Sequence, residues 1–496
     1  RLAIASYSAP SRLALDAHDS PRKSPFITFR GIRREGAMKI LVVGTGYVGL
    51  VHAAVCSEYG HEVYAYNRNE DKINAFASGQ TEEIEKHIIE PGLTDIIKEK
   101  LGKYLFFSSD LESSIDGADA VFMCLPTPPN PDGSTNLKFY DAAAETLAGI
   151  LADRKDRRRI VFVNKSTVPV GTARHLQDIM NSHGVENFGV ASNPEFLAEG
   201  TAISQARRPD RVVVGCDNEE DFKVLRRVYS QFVNHVRIKY IETTPETAEA
   251  IKYVANTMLL TYISFWNGVG AKIGENFPNV KIEDLRLGVT ADDRISTWGS
   301  FVSNGAGGSC FGKDIASLIH QLRRVNVSTK MLEASYEVNE YQKVYLIERA
   351  IAEDGFQFNN KTIAVLGLAF KKRTNDMRDA SSIKVIESLL GKGVAKIRAY
   401  DPLAIENARA VFDPSQNILF EKIEYYDTAK EAIQGSQAVF VSSDCEEFRG
   451  LSRTIEETVQ PPYLVMDGRR MIPDYEELVA KGLSYLAVGS MAMKPV

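Results

Sequence analysis

The sequence predicts an α/β protein in which two doubly wound domains are joined by a long central helix and a helical region. Strand-like apolar runs alternate with helix-like stretches from residue 39 onwards, and a second cycle of the same kind begins near Lys361. Between the two cycles, the apolar residues of 244–274 follow helical spacing, so a long helix opens an all-α segment that reaches about Gln342. We therefore expect two α/β units separated by a helical segment.

The first unit begins with a strand-like run at 39–44, a glycine-rich turn, a helix at 50–59 and a second strand at 61–66. Further apolar runs begin near Ala120, Ile160 and Arg211. Because these runs are apolar throughout, we expect buried parallel strands with helices on both faces of the sheet. The predicted domains are 38–240, a central helical region at 241–342 and a second α/β domain at 343–496.

The first 37 residues are rich in Arg, Ser and Pro and lack hydrophobic periodicity, whereas Met38 directly precedes the first strand. We expect 1–37 to be a disordered extension of unknown role. It could be vector-derived, an upstream misread or a transit-like presequence. Its lack of a long apolar segment argues against a secretory signal.

The composition excludes several classes of protein. With 496 residues, 44% hydrophobic and 25% charged, the chain resembles a soluble globular protein. A net charge of −6 with scattered Lys and Arg gives no basis for nucleic-acid binding, and no apolar run approaches the ~20 residues that span a bilayer. The five cysteines, without a CxxC pair or metal-ligand spacing, indicate a reducing compartment and no metal. We expect a cytoplasmic protein without nucleic-acid or membrane partners.

The turn after the first strand has the pattern GxGxxG, which binds dinucleotides when it joins a strand to a helix. Gly44 permits the tight turn, Gly46 lets the backbone approach a pyrophosphate, and Gly49 allows close helix packing. The cofactor contacts expected here are Gly44, Gly46, Tyr47, Val48 and Gly49.

The end of the second strand leaves the choice of dinucleotide open. NAD sites usually carry Asp or Glu there to hold the ribose hydroxyls, whereas this chain has Asn67 followed by Arg68. Arg68 could pair with the 2′-phosphate of NADP, or it could be a solvated loop residue beside NAD held through Asn67.

Cys310 follows a glycine-rich loop and is expected at the start of a helix, next to Lys313 and Asp314. The helix N-terminus and Lys313 would both lower the thiol pKa and favour a nucleophilic thiolate. Taken alone, the segment is more simply a structural cysteine after a glycine turn. Lys252 and Asn256 share a helix face and could hold an oxyanion, although such a pair is more often solvated.

Eight segments, in the same order, resemble the motifs of the UDP-glucose/GDP-mannose dehydrogenase family. They are VVGTGYVGL, EPGL, KSTVPVGT, NPEFLAEGTAI, the helix with Lys252 and Asn256, GAGGSCFGKD, GLAFKK and DGRR. The resemblance covers the chain from Met38 to about Ser490. It implies an N-terminal Rossmann cofactor-binding domain, a central helical dimerisation region and a C-terminal Rossmann-like UDP-binding domain, in a homodimer or a higher homo-oligomer.

The resemblance also implies an activity, the oxidation of UDP-glucose at C6 to UDP-glucuronate in two steps, with NAD as cofactor. Lys252 and Asn256 would stabilise an oxyanion, and Cys310 would form a thiohemiacetal and then a thioester. The hydrolytic water would be positioned by Asp314, Thr167 and Glu195. GDP-mannose and UDP-N-acetylhexosamines are alternative substrates, and a catalytically silent nucleotide-sugar binding protein is a further alternative. A β-hydroxyacid dehydrogenase would need neither the cysteine loop nor the second α/β domain.

Further contacts are implied position by position. Cofactor contacts beyond the glycine turn would be Asn67, Arg68, Thr127, Glu199, Lys313 and Arg378. Substrate contacts would be Glu195, Phe196, Leu197, Lys252, Asn256, Arg294, Gly305, Gly307, Phe311, Phe370, Lys371 and Arg469. The chain departs from the family pattern at two places: Asn67 with Arg68 replaces an acidic residue, which keeps NADP open, and Gly312 stands where many members carry Pro or Gln.

Overall fold

The structure is a computed structural model that describes residues 36–154 and 158–495. The predicted extension, 1–37, therefore lies outside the described residues except for its last two positions. Within the described ranges, no helix combines the length and apolar character that crossing a bilayer requires.

Eight strands form the N-terminal sheet. They are β1 (Lys39–Val43), β2 (Glu62–Tyr66), β3 (Leu105–Ser108), β4 (Ala120–Met123), β5 (Ile160–Asn164), β6 (Phe188–Ser192), β7 (Arg211–Gly215) and β8 (Lys239–Thr243). Their order in the sheet is β3-β2-β1-β4-β5-β6-β7-β8. The chain reverses its direction of winding between β1 and β4, which is where doubly wound sheets bind ligands.

Within 36–154 and 158–244, the structure describes ten helices. They are α1 (Tyr47–Glu58), α2 (Glu70–Ala77), α3 (Thr81–Glu85), α4 (Leu93–Lys100), α5 (Leu111–Ile115), α6 (Lys138–Ala152), α7 (Thr172–Ser182), α8 (Ala202–Arg207), α9 (Glu219–Val228) and α10 (Ser230–Val233). Every residue of β1, β4 and β5 is buried, as expected of strands that helices cover on both faces.

The direction of one strand differs from the prediction. The run near Arg211 is expected to be parallel to its neighbours, but β7 pairs antiparallel with β6 through Ser192 and Gly215, and parallel with β8. This part of the prediction is wrong because apolar character records burial and carries no information on strand direction.

The central region is helical, as predicted. Its helices are α11 (Pro245–Phe265), α12 (Ala271–Asn276), α13 (Ile282–Val289), α14 (Phe311–Arg324) and α15 (Lys330–Arg349). The hydroxyl of Thr244 caps α11 by accepting from the Thr247 N–H, and Pro245 occupies the first turn, where its missing N–H costs nothing. A π-turn at Trp266–Gly270 joins α11 to α12, and a second one at Ala350–Asp354 follows α15. The predicted domain limits, at 240 and 342, fall inside β8 and α15.

The C-terminal domain holds the second sheet. Its strands are β9 (Thr362–Leu366), β10 (Lys396–Tyr400), β11 (Ile423–Tyr425), β12 (Ala438–Val441), β13 (Leu464–Asp467) and β14 (Ser484–Ala487). The order is β11-β10-β9-β12-β13-β14, and all pairs are parallel. Its helices are α16 (Ser381–Gly391), α17 (Ile405–Val411), α18 (Ala429–Ile433), α19 (Leu451–Thr458) and α20 (Tyr475–Ala480), with 3-10 turns at Ile418–Lys422 and Glu446–Gly450. Two doubly wound domains joined through a long central helix confirm the predicted fold class.

Candidate active site

The glycine turn lies between β1 and α1, at the switch point of the N-terminal sheet. Gly44 has a φ of 101°, and a Cβ there would lie 2.5 Å from the Cys124 carbonyl oxygen. A Cβ on Gly49 would lie 1.9 Å from the Gly44 oxygen, so only glycine fits. Gly46 has open space where a Cβ would be, and no side chain caps the N–H groups of α1. The turn therefore fits a dinucleotide pyrophosphate, which would rest on those free N–H groups.

The residues after β2 lie beside this turn. The Asn67 amide donates to the Thr45 hydroxyl over 2.9 Å and accepts from the Asn69 N–H over 2.9 Å. The guanidinium of Arg68 lies 5.6 Å from the centre of the Phe139 ring. Asn67 thus reaches the glycine turn, while Arg68 is exposed and held over an aromatic face.

Cys310 immediately precedes α14, as predicted, and its carbonyl accepts the Asp314 N–H over 2.9 Å. Asp314 is completely buried between two helices. One of its oxygens accepts from the Asn256 amide over 2.6 Å, and the other pairs with Lys313 over 2.6 Å. The nucleophile candidate and the carboxylate candidate are therefore one helical turn apart, with Asn256 of α11 across from them.

Lys252, one turn before Asn256 on α11, forms an ion pair with Glu195 at 2.9 Å, and both side chains are under a tenth exposed. Burial opposes the ionisation of Glu195, but Lys252, the Leu197 N–H and Lys165 hold the pKa of that carboxyl below its ordinary value. The structure thus brings five of the predicted catalytic residues together: Glu195, Lys252, Asn256, Cys310 and Asp314. We call the space beside these five residues the cleft.

The predicted lowering of the Cys310 pKa is wrong. Cys310 opens to solvent, but protein atoms around its sulfur raise its pKa by desolvation, and the charges of Glu195 and Asp314 raise it further. Lys252 opposes this shift, whereas Lys313, which the sequence places beside the thiol, pairs with Asp314 instead.

Thr167, the sixth predicted catalytic residue, lies in the loop after β5. Its carbonyl accepts the hydroxyl of Thr127 over 3.0 Å, which joins the loops that follow β4 and β5. Lys165, in the same loop, was not predicted to act in the site. It is buried, donates to Asn193 over 2.8 Å, and burial lowers its pKa to about 8. The sequence signal that could have pointed to Lys165 is a lysine directly after an apolar, strand-like run.

The predicted substrate residues fall into two groups. Phe196 lies under two cations, the Arg211 guanidinium at 3.8 Å and the Lys252 ammonium at 5.4 Å from the ring centre. Leu197 and Phe311 pack against apolar clusters of the N-terminal and central regions. Arg294 is 87% exposed and pairs with Asp292 over 2.6 Å.

The C-terminal domain contributes the remaining predicted substrate residues. Arg469 donates to the Ser442 carbonyl over 2.9 Å, and burial lowers its pKa. Lys371 lies 5.4 Å from the centre of the Phe370 ring, and burial lowers the pKa of Lys371 as well. The Phe370 ring touches the backbone of Gly308 on the cysteine loop, so this domain closes one side of the cleft.

Two predicted cofactor residues meet between the two α/β domains. Arg378 donates to Glu199 over 3.1 Å and also pairs with Asp376 over 2.6 Å. Desolvation, followed by the charge of Asp376, raises the pKa of Glu199 to about 7. No cluster of three or more potential metal ligands occurs among the residues that the structure describes.

Three family models match the chain in order. The NAD binding domain of the UDP-glucose/GDP-mannose dehydrogenase family matches residues 38–233, its central domain 246–341 and its UDP binding domain 364–474. A chain with an NAD-binding domain and a UDP-binding domain around a shared cleft is a nucleotide-sugar oxidoreductase. This chain belongs to the UDP-glucose/GDP-mannose dehydrogenase family, as its motifs predict.

Similar proteins cover nearly the whole chain. The UDP-glucose 6-dehydrogenase TuaD of Bacillus subtilis is 36% identical over 459 residues, which are 92% of this chain and 94% of that protein. The solved UDP-glucose dehydrogenase of Pyrobaculum islandicum is 30% identical, with a TM-score of 0.81 over 93% of this chain and all of that one. A UDP-D-ManNAc dehydrogenase from Pyrococcus horikoshii shares the fold at 23% identity, with a TM-score of 0.75 over 91% of this chain and 99% of that one.

The electrostatics of the cleft predict how Cys310 reacts. In Glu195→Gln, the carboxylate that raises the thiol pKa is gone and Lys252 loses its partner, so both changes favour thiolate. We expect iodoacetamide to alkylate Cys310 roughly 3–10-fold faster at pH 8, with the midpoint of the pH profile moved to lower pH. Mass spectrometry of the labelled peptide measures this rate.

Glu246→Gln is the matched control, because Glu246 pairs with Arg174 away from the cysteine. Its alkylation profile should equal that of the unmodified protein. A midpoint for Glu195→Gln that stays in place or moves to higher pH would contradict the electrostatic account.

Proposed function

We propose that the chain oxidises UDP-glucose at C6 to UDP-glucuronate, with NAD as the oxidant of both steps. The observation that carries this proposal is the cleft in which Cys310 lies beside the Lys252–Glu195 pair and the Asn256–Asp314 pair. Oxidation of an alcohol to an aldehyde needs no nucleophile, whereas continuing to the acid does. Relatives about 35% identical over nine-tenths of the chain carry the name UDP-glucose 6-dehydrogenase and support the choice of substrate.

The glycine turn would hold NAD, which would accept one hydride in each oxidation, so a second NAD would replace the first reduced one between the two steps. Lys252 and the Asn256 amide stabilise the negative charge that develops on the C6 oxygen. The sulfur of Cys310 bonds to C6 of the aldehyde, and the thiol proton leaves to a base in the cleft. Loss of the second hydride turns this thiohemiacetal into a thioester.

Hydrolysis then frees the acid. Water attacks the thioester carbon, the carbon–sulfur bond breaks, and the electron pair returns to the sulfur of Cys310. We assign the positioning of this water to Asp314, Thr167 and Glu195. Asp314 and Glu195 are buried, and their partners Lys313 and Lys252 keep them available as charged acceptors.

The stoichiometry of reduced cofactor tests the activity. Unmodified protein should reduce two NAD for each UDP-glucose, whereas Cys310→Ser should stop after one and release an aldehyde that hydroxylamine traps. Cys216→Ser, which changes a buried cysteine outside the cleft, should still reduce two. Absence of turnover with UDP-glucose would contradict the substrate assignment and favour GDP-mannose or a UDP-N-acetylhexosamine.

The residues after β2 lead to a second proposal, that NADP also binds. Asn67 brings no negative charge to the ribose, and Arg68 lies exposed next to it. We expect Arg68→Ala to weaken NADP binding about tenfold and to leave NAD binding within about twofold, whereas Asn67→Asp should favour NAD. Calorimetry with each dinucleotide and with 2′,5′-ADP measures this, and Arg453→Ala, an exposed arginine of α19, is the control. Equal losses for NAD and NADP would contradict a 2′-phosphate contact.

We further propose that the chain forms a homodimer through the central region. Val254, Met258 and Phe265 lie on one face of α11 and are each more than half exposed, which is unusual for a stripe of large apolar residues. Met331, at the start of the adjacent α15, is 68% exposed. A second copy that brings the same face would bury this stripe in a two-fold interface.

Light scattering after size-exclusion chromatography tests the dimer. We expect the unmodified protein at twice the mass of one chain and Met258→Asp at the mass of one chain, because a buried unpaired carboxylate opposes association. Val236→Asp is the matched control, since Val236 is fully exposed and lies outside the stripe. A monomeric unmodified protein, or dimeric Met258→Asp, would contradict this interface.

A further inference from the structure

The loop that leads to Cys310 has almost no side chains with which to fix itself. Residues 305–308 read Gly-Ala-Gly-Gly, so only one methyl group is available over four positions. Gly305 and Gly308 have φ angles of 84° and 92°, a conformation that glycine adopts without strain. Such a segment has high conformational entropy unless other residues hold its backbone.

Asn339 of α15 holds the middle of this loop. Its side-chain oxygen accepts the Ala306 N–H over 2.8 Å, and its side-chain nitrogen donates to the Ala306 carbonyl over 3.0 Å. The amide thus satisfies both backbone polar groups of one residue, as a neighbouring strand would. Asn339 is only 2% exposed, so water does not compete for these bonds.

Neighbouring residues restrict the loop around this contact. Gln342, also on α15, donates to the Ser303 carbonyl over 2.8 Å. The backbone of Gly305 lies against Asn339 and the stem of Lys343, since a Cβ there would be 3.0 and 3.2 Å from them.

Lys343 is fully buried and pairs with Asp379 at 2.6 Å. The backbone of Asp379 in turn touches Gly307. The loop is therefore enclosed between α15 and the start of the C-terminal domain.

We propose that Asn339 is a positioning residue that sets the place of the Cys310 sulfur in the cleft. Ala306 is four residues before Cys310, and the Gly308 N–H, two residues before Cys310, donates to the Arg378 carbonyl over 3.1 Å. The Asn339 clamp and this bond together fix the direction from which α14 begins, and Asn339 supplies the side-chain part of that restraint. This inference rests on the proposed function, because it assigns Asn339 to the step in which the thiol attacks the aldehyde. Lys252 lies on α11 and pairs with Glu195, so its place does not depend on the clamp.

The variant Asn339→Ala should therefore separate the two oxidations. The first hydride transfer should stay within about threefold of the unmodified protein, whereas the step that needs Cys310 should slow at least ~10-fold, since small misplacements of a reacting group have effects of this size. In single-turnover experiments, the first phase should give two reduced NAD per sugar with the unmodified protein and closer to one with Asn339→Ala. The amount of trapped aldehyde should equal the shortfall in reduced NAD. The Michaelis constant for UDP-glucose should change little.

Alkylation of Cys310 tests the same inference without any nucleotide sugar. A released loop lets the thiol leave the cleft whose carboxylates raise its pKa, so iodoacetamide should react at least about threefold faster at pH 8 with Asn339→Ala. Asn339→Asp keeps the acceptor for the Ala306 N–H and loses the donor, so it should give an intermediate rate. It also serves as the test variant if Asn339→Ala does not fold, as judged by circular dichroism.

Glu337→Ala is the matched control, because Glu337 lies on the exposed side of α15. It should leave both hydride steps and the alkylation rate unchanged. The inference is overturned if Asn339→Ala and Asn339→Asp slow both hydride steps equally and alkylate at the rate of the unmodified protein. Failure of the proposed function is a different result, because the unmodified protein would then not oxidise UDP-glucose while the alkylation experiment would still report on the clamp.

Discussion

The buried ion pair between Lys252 and Glu195 is the contact on which the rest of the cleft depends. It joins the loop after β6 to the long helix α11, and its atoms are 2.9 Å apart with both side chains under a tenth exposed. Removing one partner of such a pair costs about 3–5 kcal/mol, because the other charge stays buried without compensation. The contact that orders the N-terminal sheet against the central helix therefore also places a cation and a carboxylate beside Cys310.

The carboxylate of this ion pair also contributes to the raised pKa of the Cys310 thiol. The N-terminus of a helix favours a thiolate, but desolvation and the charges of Glu195 and Asp314 raise the pKa of Cys310. Lys313 does not offset the rise in the Cys310 pKa, because its ammonium pairs with Asp314.

The sequence predicted features that depend on local pattern. The glycine turn before α1, the long helix opening at Pro245 and the position of Cys310 at a helix start all follow from spacing within a few residues. Features set by distant partners were not predictable. The antiparallel direction of β7, the raised pKa of Cys310 and the role of Asn339 each depend on residues far away in the chain. Motif resemblance supplied the set of site residues, but only the fold shows which charged partners they have, such as Glu195 for Lys252.

The cysteine loop connects the two nucleotide-binding domains as well as carrying the nucleophile. Glycine at 307 and 308 lets the backbone of Asp379 and the ring of Phe370 approach where any Cβ would collide. Arg378, the residue before Asp379, reaches Glu199 of the N-terminal domain. A shift of the C-terminal domain would therefore move the loop and the Glu199 contact together.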